Sequence, residues 1–119
     1  LIVVTLPIRI VSEANLREHF RTVAARKRIH RQTACLLMQR HLRPIPERRA
    51  TITLTRIGAK ELDDDNLAGG FKACRDGVAD WLGIDDGSPT LTWRYAQRKG
   101  KRGEYAAEVR VEWGEPCPA

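Results

Sequence analysis

The sequence predicts a mixed α/β domain, a small sheet whose elements run strand, helix, strand, helix, strand, strand, with the helices packed on one face. Three observations carry this. Four stretches, near residues 2–10, 50–57, 91–96 and 105–113, are rich in β-branched or aromatic residues, the last three with period-two alternation. Two intervening stretches show apolar residues at helical spacing. At 119 residues the chain suits a single domain, 1–119, with one core. Charged residues at 30% and hydrophobic ones at 42% fit a soluble globular protein. No apolar run approaches ~18 residues, which excludes a helical membrane span, and the opening LIVVTLPIRI is too short and strand-like for a signal peptide. Cys35, Cys74 and Cys117 are odd in number and match no C-x-x-C spacing, so a reduced cytoplasmic setting is expected.

In chain order, residues 2–10 read as a strand that Pro7 places at an edge or bulge. Asn15 with Glu18 three positions on resembles a capping box. The helix behind it is expected to reach about His41, because no Gly or Pro interrupts it. Leu16, Phe20, Val23, Ala34 and Leu37 are its expected buried face. His19, His30 and His41 recur every eleven residues, but that step is ~16 Å of helix rise, too far for one ion. Thr51, Thr53 and Thr55 alternate with Ile52 and Leu54 in the second strand. Leu67, Phe71, Cys74, Val78, Trp81 and Leu82 then mark a second amphipathic helix, expected over 66–82. The two last strands flank QRKGKRG, whose glycines suit a hairpin loop, and the tail GEPCPA is expected to fray.

Charge is unevenly distributed. Residues 1–60 hold thirteen Lys and Arg against three Glu, a net of +10, whereas residues 61–119 hold eight against twelve acids, a net of −4. A basic half joined to an acidic focus suggests a polyanion, with nucleic acid the obvious candidate. Arg17, Arg21, Arg28 and Arg31 fall within about 80° of one another on the first helix, a stripe suited to phosphates. A solvated surface is the plainer reading of such a stripe, but no acid at i+4 neutralises it after Glu18. Arg98, Lys99, Lys101 and Arg102 form a second basic group.

The acids gather in LDDDNLAGGFKACRDGVADWLGIDDG, residues 62–87. In an extended or turn segment Asp63 and Asp65 would converge while Asp64 faces elsewhere. Two converging carboxylates offer the hard oxygens that Mg²⁺ takes, and Mn²⁺ is a possible substitute. A third acid from Asp85 or Asp86 would suit one or two ions that activate water for phosphodiester hydrolysis. Lys72 would add positive charge for the transition state. The bland readings are an N-cap for the first acids, a turn for Asp85 and Asp86, and a surface pair for Lys72 and Asp76. Capping needs one acid, and three consecutive ones exceed that need.

These residues resemble the RusA-type Holliday junction resolvases, a family common in phages and prophages. Its pattern is an Asp-x-Asp-Asn element, a Lys with an Asp four positions on, and a later Asp-Asp pair. By position, Asp63, Asp65 and Asp86 match the catalytic metal-binding acids and Asp85 the accompanying acid. Lys72 matches the functional lysine through its spacing to Asp76. In the family the lysine follows the Asn by three positions, where this chain has Gly69. The resemblance implies a homodimer that nicks branched DNA with Mg²⁺. The competing expectation is a non-catalytic nucleic-acid-binding module whose acids are structural. A helix over 66–82 would also part Asp65 from Asp86 by ~25 Å. Either Gly69 and Gly70 delay the helix so that the first acids fold back, or two subunits share the site.

Overall fold

The computed structural model describes residues 1–12, 19–41, 43–45 and 47–118. Its elements are β1 (Ile2–Leu6), α1 (Phe20–His41), β2 (Arg48–Gly58), α2 (Asp64–Leu82), β3 (Leu91–Lys99) and β4 (Ala106–Pro116), in the expected order. Asn15, Glu18, Leu16 and Arg17, and with them the expected capping box, lie outside the described residues.

The four strands form one sheet in the order β1-β4-β2-β3. β2 pairs parallel with β3, while β4 runs antiparallel to both β1 and β2. The chain therefore makes no hairpin of β3 and β4, contrary to the turn read from QRKGKRG. That segment carries the chain past the end of β2, where Gly100 N donates to Gly58 O at 3.1 Å. The glycine-rich signal was real as a turn, but the strand it returns to is chosen by burial. Val109 and Val111 are fully buried between β1 and β2, and each such apolar burial contributes roughly 1.5–3 kcal/mol.

Ile52 and Leu54 point into the core, and Thr51, Thr53 and Thr55 line the more open face, as the alternation requires. The helices cover the inner face, packing on each other and on β1 and β2. β1 ends at Leu6, before Pro7, and is an edge strand; Ile8 and Ile10 stay buried beyond it. On α1, His30, Ala34 and Met38 are buried and Phe20 is 70% exposed. The expected inward Phe20 sits at the helix start, stacked with His19 at 4.5 Å. As far as Cys117 the tail does not fray as expected: β4 reaches Pro116, and Cys117 N donates to Glu47 O at 2.6 Å.

α2 begins at Asp64, so Gly69 and Gly70 do not delay it. Gly70 is needed for close approach instead: a Cβ there would lie 2.6 Å from Val11 O. Among the described residues, no helix is long and apolar enough to cross a membrane.

Candidate active site and nucleic-acid groove

At the start of α2, Asp63 is the N-cap. Its Oδ1 accepts from Asn66 N at 2.8 Å and its Oδ2 from Asn66 Nδ2 at 2.9 Å. Asp64 and Asp65 occupy the first turn, exposed, where the helix dipole favours anions. The convergence expected from an extended segment does not apply, because the helix has already begun. Among the described residues, no hydrogen-bond donor reaches the carboxylate of Asp65.

At the other end, Gly83 stops the helix with φ 70°, and its N–H donates to Ala79 O at 2.9 Å. Glycine adopts that left-handed cap without steric cost. Asp85 Oδ2 accepts from Gly87 N at 3.0 Å and makes a tight turn. Asp86 is thereby laid against the side of α2 that carries Lys72 and Arg75. Its Oδ2 accepts from Lys72 Nζ at 3.0 Å and from Arg75 Nε at 2.8 Å. Its main-chain oxygen accepts from Trp93 Nε1 at 2.8 Å and from Arg75 Nη2 at 3.2 Å.

Arg75 is the residue that sequence reasoning missed. It also donates to Tyr95 Oη at 3.0 Å and lies 4.8 Å over the Trp93 ring. The available signal was its place one turn after Lys72, with Trp93 and Tyr95 alternating onto the same face of β3.

The electrostatics follow from these contacts. Lys72 Nζ also donates to Asp76 Oδ1 at 2.9 Å, and Asp76 and Asp86 together hold its pKa above the usual lysine value. The hydrogen bond from Lys72, with Arg75 adding, holds Asp86 below the usual carboxylate range. Burial opposes the charge on Arg75, but Tyr95 and Asp86 outweigh it and raise its pKa. A lysine stabilised as a cation is unsuited to general-base work and suited to meeting an anion.

Asp65, Lys72 and Asp76 fall within about 40° on α2 at 100° per residue, so they form one stripe. Facing it, Lys27, Arg28 and Arg31 of α1 line a cavity of about 300 Å³ together with Lys72, Ala73 and Asp76. The two regions singled out separately in the sequence thus meet in one groove, with Lys27 an addition. Arg31 is not unneutralised: its Nε donates to Asp80 Oδ2 at 2.7 Å and its Nη2 to Oδ1 at 2.9 Å. The stripe's acid comes from α2, which no i+4 count within α1 could find. Arg21 lies 5.8 Å over the Phe20 ring. Elsewhere, Arg98 pairs with Glu108 at 3.1 Å, and Lys99, Lys101 and Arg102 are exposed near the β3–β4 connection.

Among the described residues, no three His, Cys, Asp or Glu side chains are gathered closely enough to hold a metal ion. Lys72 rises ~10.5 Å along α2 from Asp65, so Asp86 stays about two turns away from the first acids. The donor chemistry still suits Mg²⁺, which takes one or two carboxylates and completes its shell with water and substrate phosphate. Asp65 offers one such carboxylate, while both oxygens of Asp63 already accept from Asn66. Comparison with protein-family models, with curated proteins and with solved structures returns no match.

Proposed function

We propose that this protein is a Mg²⁺-dependent, structure-selective endonuclease that nicks branched DNA such as four-way junctions, working as a homodimer. The observation that supports it most is the single groove in which the basic residues of α1 meet Lys72, on the α2 stripe that also carries Asp65 and Asp76. The resemblance of residues 62–87 to the RusA-type resolvases adds the junction substrate and the dimer.

In this reading Asp63 and Asp65 hold the cation, with Mn²⁺ a workable substitute. The ion, when bound, polarises a phosphoryl oxygen and makes water a better nucleophile. The chain's own residues grip and orient the strand. Lys27 and Arg28 offer exposed charges to phosphates. Lys72 stands ~10.5 Å along α2 from Asp65, about three nucleotides at ~3.4 Å per strand charge. It therefore meets a phosphate a few nucleotides from the scissile one. Asp76 and Asp86 hold the Lys72 ammonium in place, and the ion pairs give way because Lys72 is 57% exposed. Asp85 holds the turn that presents Asp86.

A second reading has an observation of its own. Asp63 caps a helix, Asp85 closes a turn and Asp86 neutralises two cations, so three acids already have structural work. A non-catalytic DNA-binding module would look the same. A labelled synthetic four-way junction, with a linear duplex beside it, separates the two. We expect nicking of the junction with Mg²⁺, none with EDTA, and little on the duplex. Binding to the junction without nicking under any divalent cation would favour the module.

A further inference from the structure

A second charged feature lies at the opposite end of β2 from the α2–β3 turn. Arg9, Arg56 and Lys60 line a cavity of about 350 Å³ with Ser12, Leu62 and Tyr105 among its other walls. Three cations face it, and no carboxylate of the described residues lines it. Arg56 is only 7% exposed. Its Nε donates to Ile10 O at 3.0 Å and its Nη1 to Lys60 O. Those bonds tie the chain leaving β1 to the chain leaving β2, which is a structural role. They use two of five N–H groups and only neutral acceptors. Among the described residues no carboxylate lines the cavity to answer the charge: burial lowers the Arg56 pKa, and neighbouring Arg9 lowers it further.

Three further details fit a site shaped for an anion. Ser12 is 8% exposed, and its Oγ has no hydrogen-bond partner among the described residues. A buried hydroxyl without a partner is costly unless something occupies it. Gly58 leaves room for the guanidinium, since a Cβ there would lie 2.9 Å from Arg56 Cζ. Arg9 is held at the mouth by stacking 4.0 Å over the Tyr105 ring. A planar guanidinium, an ammonium and a hydroxyl donor together match a tetrahedral oxyanion with several acceptors.

We propose that this cavity binds a phosphate group, either free or carried on a nucleic-acid strand. The site stands on its own residues and does not depend on cleavage at Asp65. Because Leu62 forms one wall and Asp63 follows it, a strand phosphate held here would run directly toward the first turn of α2.

The test is a titration of the ¹⁵N-labelled chain with inorganic phosphate against sodium chloride at matched ionic strength. Saturable shifts at the amides of Arg9, Ser12, Arg56 and Lys60 with phosphate alone are expected. Lys60→Gln and Arg9→Gln change exposed side chains and leave the fold intact. Each should weaken phosphate binding about tenfold, the scale of one charge-assisted hydrogen bond. Gly58→Ala should weaken it by displacing the guanidinium. A single-stranded oligonucleotide distinguishes the sources. If the phosphate belongs to a strand, Lys60→Gln lowers the log–log salt slope of oligonucleotide binding by ~0.7. If it is free, that slope stays unchanged while inorganic phosphate binding falls. Shifts that do not saturate, that chloride reproduces, or that survive both Lys60→Gln and Arg9→Gln would overturn the proposal.

Discussion

Asp86 illustrates what one residue's surroundings decide. As an acid near the end of a helix it was visible in the sequence, and so was its distance along the chain from Asp65. Its partners were not visible, because Lys72 and Arg75 lie fourteen and eleven positions earlier and meet it only through the Gly83 turn. The consequence is measurable in acid. Lys72 and Arg75 depress the Asp86 pKa, and Arg31 depresses that of Asp80. A carboxylate whose folded pKa is lowered contributes stability fully above its unfolded value, ~3.9 for Asp. That contribution is lost as pH falls through the lower folded value. Urea denaturation as a function of pH should therefore show a stability loss below about pH 4 that Asp86→Asn makes shallower. An unaltered slope in the variant would remove the ion pairs from the description of this residue.

α2 is the element in which reading and structure agree most and differ most usefully. Its period, its apolar stripe and its end near Leu82 were legible, since Leu67, Phe71, Cys74 and Val78 are all buried. Its start was misplaced by two residues because Asp63 and Asp65 read as ligands on an extended or turn segment, whereas Asp63 caps the helix and the dipole draws Asp64 and Asp65 into the first turn. Gly69 and Gly70 read as residues that delay the helix start, but Gly70 and Gly77 instead allow close contacts with distant parts of the chain. A Cβ at Gly77 would collide with Arg31 O and lie 2.8 Å from Ala34 Cβ, so this glycine lets α1 and α2 cross closely. At Gly69 nothing lies within 4 Å. Gly77→Ala should destabilise by about 1–2 kcal/mol, overpacking exceeding the gain in helix propensity. Gly69→Ala should stabilise by roughly 0.5–1 kcal/mol. Matched urea melts of the two variants check this, and equal effects would contradict the close crossing.

At the scale of the whole molecule, element order was readable from periodicity but strand pairing was not. Alternation in β3 and β4 tells which side chains face inward, not that β2 lies between them. Whether a second chain completes the site is likewise a question of assembly. Asp86 already rests on Lys72 of its own chain, so we expect each subunit to use its own acids. Where Asp86→Asn alone abolishes nicking, mixing it with Asp65→Asn subunits should then restore none. Partial recovery would mean that one subunit's Asp65 works with Asp86 of the other.

The decisive measurement is the nicking rate of Asp65→Asn on a synthetic four-way junction with Mg²⁺, taken alongside its stability and junction affinity. Asp65 is exposed and accepts no hydrogen bond among the described residues. Its amidation should therefore change stability by less than about 0.5 kcal/mol. Removing one anion near the DNA should leave binding equal or tighter. Under the metal-site reading, nicking falls to the level seen with EDTA while fold and binding persist. Nicking at the wild-type rate by a folded, junction-bound Asp65→Asn protein would contradict it.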